Sequence, residues 1–237
     1  MRWVRDRTGR FPQRPHYNPE EIDSECGQLI CAFLQKKYGK IEFPIRTEDL
    51  TILIEEKADL DSFADLSGEE GEVEGVTEFV RGKRPLVRIA NRLSERNMEN
   101  RLRTTLTHEF GHVHFHRFMF DVETRSGSLF PTELMGHTNK CNRGTIVDAP
   151  ETDWMEWQAG YVCGAILMPS DALIATVQAF RKDNALALKN LGADSGPGQE
   201  LIGLVAAAFQ TSIDAARVRL LKKRILAQSA SGTSELF

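Results

Sequence analysis

TLTHEFGHVHFH, residues 105–116, holds two histidines, His108 and His112, spaced by four. On a helix that spacing projects both imidazoles from one face, where they can share a cation. Glu109 sits beside them, and a carboxylate next to a metal-activated water can take its proton and pass it to a departing amine. The alternative is a helix with merely solvated histidines, since the pattern also arises by chance. Around it, Leu102, Leu106, Phe110 and Val113 form one apolar stripe, which predicts a helix over about 95–118. His114 and His116 follow at two-residue steps, and this reading turns both away from the face of His112 into structural or exposed roles.

Two histidines do not complete a catalytic zinc site, which normally takes three protein ligands and keeps one position open. Glu156 is the candidate third ligand, 44 residues beyond His112 (156 − 112 = 44) and one turn before Ala159. Ala159, Val162, Cys163, Ile166 and Leu167 share an apolar face, so a helix is predicted over about 153–168, stopped by Pro169. A carboxylate on a buried face needs a partner, whereas one on the rim is simply wet. Both placements stay open for Glu156 on spacing alone. Cys163 shares its face, but two turns of about 5.4 Å each put it too far away for a co-ligand. His137 and Cys141 form a four-spaced pair that could bind metal, inside a segment, 119–150, whose lack of periodicity reads as a long surface excursion. Tyr161 and His137 are the candidates for steadying an oxyanion, with nothing to choose between them. Two imidazoles and a carboxylate suit zinc, and also accept manganese, iron or cobalt.

Working outward, 237 residues of 41% hydrophobic content can bury a substantial core. No apolar run approaches the roughly 20 residues of a membrane helix, the first residues lack a signal-peptide core, and four cysteines without a C-x-x-C pair suit a reducing compartment; the expected location is the cytoplasm. Residues 1–17 are rich in Arg and Pro and read as a mobile arm. Asn18 caps a helix running to about Tyr38, closed by Gly39, and Thr47 is the expected cap of a second helix carrying Leu50, Leu53 and Ile54. The acidic run 59–74 reads as a loop, and 73–80 with 86–90 as an antiparallel hairpin. A polar linker over 192–199 precedes two short helices around Gln210-Thr211, with Ser212 as cap. The second carries Arg217, Arg219, Lys222, Lys223 and Arg224, which either contact phosphate or form the outer face of a packing helix. A net charge of −4 favours the packing helix over nucleic-acid binding.

RLRTTLTHEFGHVHFH followed by EWQAGYVCGAILMP resembles the ImmA/IrrE family of metallopeptidases, in which a His-Glu-x-x-Gly-His helix precedes a Glu-x-x-Ala helix ending in Leu-Met-Pro. The hairpin EVEGVTEFVRGKRPLVRIA also looks like the family's strands, so the resemblance spans roughly residues 20–170. It implies an α+β, zincin-like domain over 18–170 with a small antiparallel sheet, a helical, helix-turn-helix-like segment over 171–228 and a flexible tail over 229–237. It also implies Zn2+ held by His108, His112 and Glu156, Glu109 as base, and a protein substrate such as a helix-turn-helix repressor. Gly160 and Val162 depart from the family's usual Asn and Phe, and the long excursion could act as a lid over the metal. The competing expectation is a non-enzymatic regulator whose metal site is structural or vestigial.

Overall fold

The computed structural model describes residues 1–80, 82–122, 137–142, 153–186 and 191–228. The architecture is mixed α and β, with helices packed on a small sheet. Helix α1 (Pro19–Tyr38) begins with a reciprocal capping box, in which the Asn18 side chain accepts from the Glu21 amide and the Glu21 carboxylate accepts from the Asn18 amide. It ends at Gly39, whose φ of 69° is the left-handed conformation that glycine adopts without strain. Helix α2 (Thr47–Glu55) lacks the expected Thr47 cap: Arg46 holds the cap position without a side-chain hydrogen bond. The Thr47 hydroxyl instead bonds Glu99 at 2.9 Å and accepts from Arg103 at 3.2 Å. A fully buried guanidinium must find acceptors, and Arg103 finds others in the carbonyls of Ile45, Phe209 and Gln210.

The acidic run expected as a loop contains strand β3 (Asp59–Ala64). Its exposure alternates, with Asp59, Asp61 and Phe63 outward, so the acids mark the wet side of an edge strand. Strands β4 (Val73–Phe79) and β5 (Leu86–Ala90) form the expected hairpin. A further strand, β6 (His137–Asn142), lies within the expected excursion, and the sheet order is β3-β5-β4-β6. Because β3 runs parallel to β5 while β4 is antiparallel to both its neighbours, the sheet is mixed and not wholly antiparallel. The rest of 123–152, and the His137 and Cys141 side chains, lie outside the described residues.

Residues 1–17 form a docked hairpin in place of a mobile arm. Strands β1 (Arg2–Arg5) and β2 (Gln13–His16) pair antiparallel, and the Asp6 carboxylate accepts from the amides of Thr8 and Phe11 across the turn. Phe11 is buried with Met119, Trp154 and Met155, its ring edge-on to Phe120 and Trp154. These partners lie over a hundred residues away in the chain, so local periodicity carried no sign of them.

Helices α3 (Glu99–Val122) and α4 (Trp154–Leu167) form the centre of the molecule. Two 3-10 turns, Asn91–Ser94 and Arg96–Met98, occupy the ground before α3, which therefore starts and ends about four residues later than its stripe suggested. Beyond Pro169 come α5 (Ser170–Asp183), α6 (Gly196–Phe209) and α7 (Ile213–Lys222), with a short parallel pair, β7 (Leu191–Gly192) and β8 (Leu226–Ala227). Ser195 caps α6 and Pro197 sits in its first turn, so half of the expected linker is helix. Ser212 caps α7 as expected. One apolar core runs from Ile22 through Leu106 and Phe110 to Leu201 and Leu220, so the last helices pack onto the rest of the domain. The tail 229–237 lies outside the described residues. Among the described residues no single helix is long and apolar enough to cross a membrane.

Candidate metal centre

His108, Glu109 and His112 lie on the face of α3 that meets α4 and β4, and all three side chains are fully buried. What lets a second helix reach them is a missing side chain. A Cβ on Gly111 would stand 3.0 Å from the Ala159 Cα and 3.3 Å from the Ala159 carbonyl oxygen, so the two backbones approach at a glycine facing an alanine. His112 is next to Gly111, and Glu156 lies one turn before Ala159. The small residues of the two motifs are thus the spacer that sets the reach between acid and imidazoles.

Glu156 points inward, at 8% exposure, and not to the rim. One carboxylate oxygen stands 3.1 Å from His108 Nε2 and the other 3.2 Å from His112 Nε2, while the two Nε2 atoms are 3.1 Å apart. Donors around a tetrahedral ion at about 2.0–2.1 Å stand roughly 3.3 Å from one another, so the spacings between the two imidazole nitrogens and the carboxylate oxygens are of the size such a site requires. Buried, lone-pair-bearing nitrogens and oxygens so close together are costly unless a proton or a cation lies among them. This group of side chains can therefore hold a metal ion. Burial alone would raise the Glu156 carboxyl, but His112 and His108 outweigh it and hold it far below the usual carboxylate range. Burial pushes His112 down, and the Glu156 and Glu109 carboxylates more than reverse this, leaving it raised.

Glu109 is held from the other side. One oxygen accepts a short hydrogen bond from the Thr77 hydroxyl on β4, and the other, Oε1, is buried without a hydrogen-bond partner among the described residues. A Cβ on Gly75 would come within 2.9 Å of the Glu109 Cγ and Cδ atoms, so the carboxylate needs a glycine at that point of the strand. Burial raises its pKa despite the opposing pull of the two imidazoles.

His116 does not turn away, as its two-residue step from His114 suggested. It is four residues beyond His112, the same interval that joins His112 to His108, and its Nδ1 stands 3.1 Å from His112 Nδ1. That interval is the sequence signal for its position. Its ring is fully buried, edge-on to Trp154, and burial together with the nearby His112 pushes its pKa down to about 3, so it is neutral. Its Nε2 lies 3.0 Å from Gln158 Oε1. His114 is a separate matter: its ring stacks on Phe110 and bonds Glu25 of α1. Cys163 is core, its thiol pushed up to about 11 by burial. The Tyr161 hydroxyl donates to Asp23 at 3.0 Å, which commits it to the seam between α1 and α4. Of the basic residues on and after α7, Arg219 is buried against Asp23 and the Met168 carbonyl, Lys223 also pairs with Asp23, and Arg217 pairs with Asp194.

No protein-family model matches the chain, and no curated protein matches it either.

Proposed function

We propose that this chain is a zinc-dependent endopeptidase of the zincin-like, ImmA/IrrE kind that its two motifs resemble, acting on a protein target such as a helix-turn-helix repressor. The observation that carries the reading is a Glu109 oxygen with no hydrogen-bond partner among the described residues, on the helix that carries two of the three cluster donors. His108, His112 and Glu156 would hold the ion, and two imidazoles with one carboxylate suit zinc. Bound there, zinc would polarise water and the substrate carbonyl and bring the pKa of that water to about 7. Glu109 takes the proton of the attacking water on its uncommitted oxygen and gives it to the leaving amine. Thr77 steadies the other oxygen, and a raised pKa suits a group that must accept and then release a proton near neutrality.

A second reading has its own support: the two imidazoles are wholly buried and the acid almost so, as in a closed, structural metal site. A structural site has no use for a base with a free oxygen, and this favours the enzyme. The decisive experiment loads the purified protein with zinc and incubates it with candidate helix-turn-helix repressors, comparing wild type with Glu109→Gln. The variant is expected to bind zinc one-to-one and to cleave on the order of 10²–10⁴-fold more slowly. Equal cleavage by both removes Glu109 as base. Stoichiometric zinc without cleavage of any candidate protein moves the assignment to the regulator.

A further inference from the structure

The two histidines of the cluster are supported differently. His108 Nδ1 is buried with no hydrogen-bond partner among the described residues, whereas His112 Nδ1 opens a chain of three contacts. From His112 it passes at 3.1 Å to His116 Nδ1, from His116 Nε2 at 3.0 Å to Gln158 Oε1, and from Gln158 Nε2 at 3.2 Å to the backbone carbonyl of Pro15. Pro15 belongs to β2 and is buried, so the chain joins the metal cluster to the N-terminal hairpin.

The far end dictates the direction of every bond. A carbonyl oxygen only accepts, so the Gln158 amide must turn its NH2 towards Pro15 and its oxygen towards His116. His116 must then carry its proton on Nε2 to donate to that oxygen, which leaves its Nδ1 bare. A bare Nδ1 requires a donor, so His112 carries a proton on Nδ1, and in the neutral ring Nε2, on the side of His108 and Glu156, is the nitrogen left with a lone pair for a cation. The reverse arrangement fails at Gln158, where either the amide oxygen would face the Pro15 carbonyl or a bare His116 nitrogen would face the amide oxygen. We propose that His116 is a positioning residue which, oriented by Gln158 and the Pro15 carbonyl of the N-terminal hairpin, fixes His112 in the tautomer that offers Nε2 to the metal. The inference rests on the metal-site reading above and adds that the hairpin tunes metal affinity.

The test measures zinc affinity of the full chain by competition with a chromophoric chelator, alongside the cobalt(II) absorption spectrum and the melting temperature of the metal-free protein. His116→Ala is expected to weaken zinc binding about 10- to 100-fold, the range for hydrogen-bond partners of a metal-binding histidine, and to alter the cobalt spectrum. Gln158→Met, close in volume but unable to orient His116, weakens it in the same sense. His116→Gln, whose amide oxygen can accept the Nδ1 proton of His112, restores most of the affinity, a rescue that simple cavity filling would not produce in the spectrum. If His116→Ala fails to fold, the Gln158→Met and His116→Gln pair decides. Wild-type affinity in both His116→Ala and Gln158→Met overturns the relay and leaves the metal site standing. A wild-type chain that binds no zinc removes the metal reading, and the relay with it.

Discussion

Two acids are buried on neighbouring helices, Asp23 on α1 and Glu156 on α4, and they are neutralised in different ways. Asp23 receives Arg219 at 2.6 Å, Lys223 at 2.8 Å and the Tyr161 hydroxyl at 3.0 Å. Two of these partners are cationic side chains, so the protein's own groups neutralise this carboxylate, and the seam ties α1 and α4 to the C-terminal helices. Among the described residues Glu156 faces the imidazoles of His108 and His112, whose charge depends on a proton. The first arrangement is a clamp. The second is a site, because what neutralises it can be exchanged for a cation.

That contrast can be broken from either side. Asp23→Asn leaves a buried guanidinium and an ammonium without their anion and should cost about 3–5 kcal/mol of stability by denaturant unfolding. Zinc affinity of the folded fraction should not change; if it does, the two seams are one system. Glu156→Gln should do the opposite. It keeps a hydrogen-bonding group between the imidazoles, so metal-free stability changes little, but zinc affinity should fall by more than the roughly 100-fold typical of losing an outer partner. By the same contrast, zinc at a thousandfold excess over its Kd should stabilise wild type by about 4 kcal/mol and the Glu156→Gln variant by far less.

A smaller effect probes the spacing between α3 and α4. Gly111→Val drives a side chain against Ala159 and should cost about 1–3 kcal/mol through overpacking. If the glycine is the spacer argued above, zinc affinity falls with it, and retained affinity would mean that the acid reaches the imidazoles by other means. The smallest effect is in pH. Burial works to raise the Asp23 carboxyl, but Arg219 and Lys223 outweigh it and hold the folded-state pKa below the ordinary value. A depressed carboxylate contributes its full stability above the unfolded pKa of about 3.9 and loses it as pH falls through the folded value. Melting temperatures of wild type and Asp23→Asn should therefore converge as pH is taken from 5 towards 3. A gap that stays constant would mean that Asp23 contributes by packing and not by charge.

Local rules reached a good part of this molecule. Asn18, Gly39, Ser212 and Pro169 mark helix ends because capping involves neighbours in sequence, and the hairpin of β4 and β5 announced itself through its turn. They failed where the partner was remote. Thr47 has the chemistry of a cap, but Arg103 and Glu99 claim its hydroxyl. Asp59 and Asp61 look like loop residues because an edge strand with one wet face shares that composition. The N-terminal stretch has no pattern of its own, since Phe11 answers to Trp154 and Met155. The place of His116 follows from its four-residue interval to His112, whereas its two-residue step from His114 says nothing of the face they share.

The sequence alone determined that His108 and His112 share a helix face with Glu109 beside them, because helical periodicity is a property of a few consecutive residues. Only the tertiary structure decided that Glu156 faces inward, that Gly111 and Ala159 let two helices close on it, and that a proline carbonyl 93 residues before His108 (108 − 15 = 93) lies at the end of the chain of hydrogen bonds from His112. Those outcomes depend on how far apart two backbones come to rest, and that distance is set by the packing of the whole core.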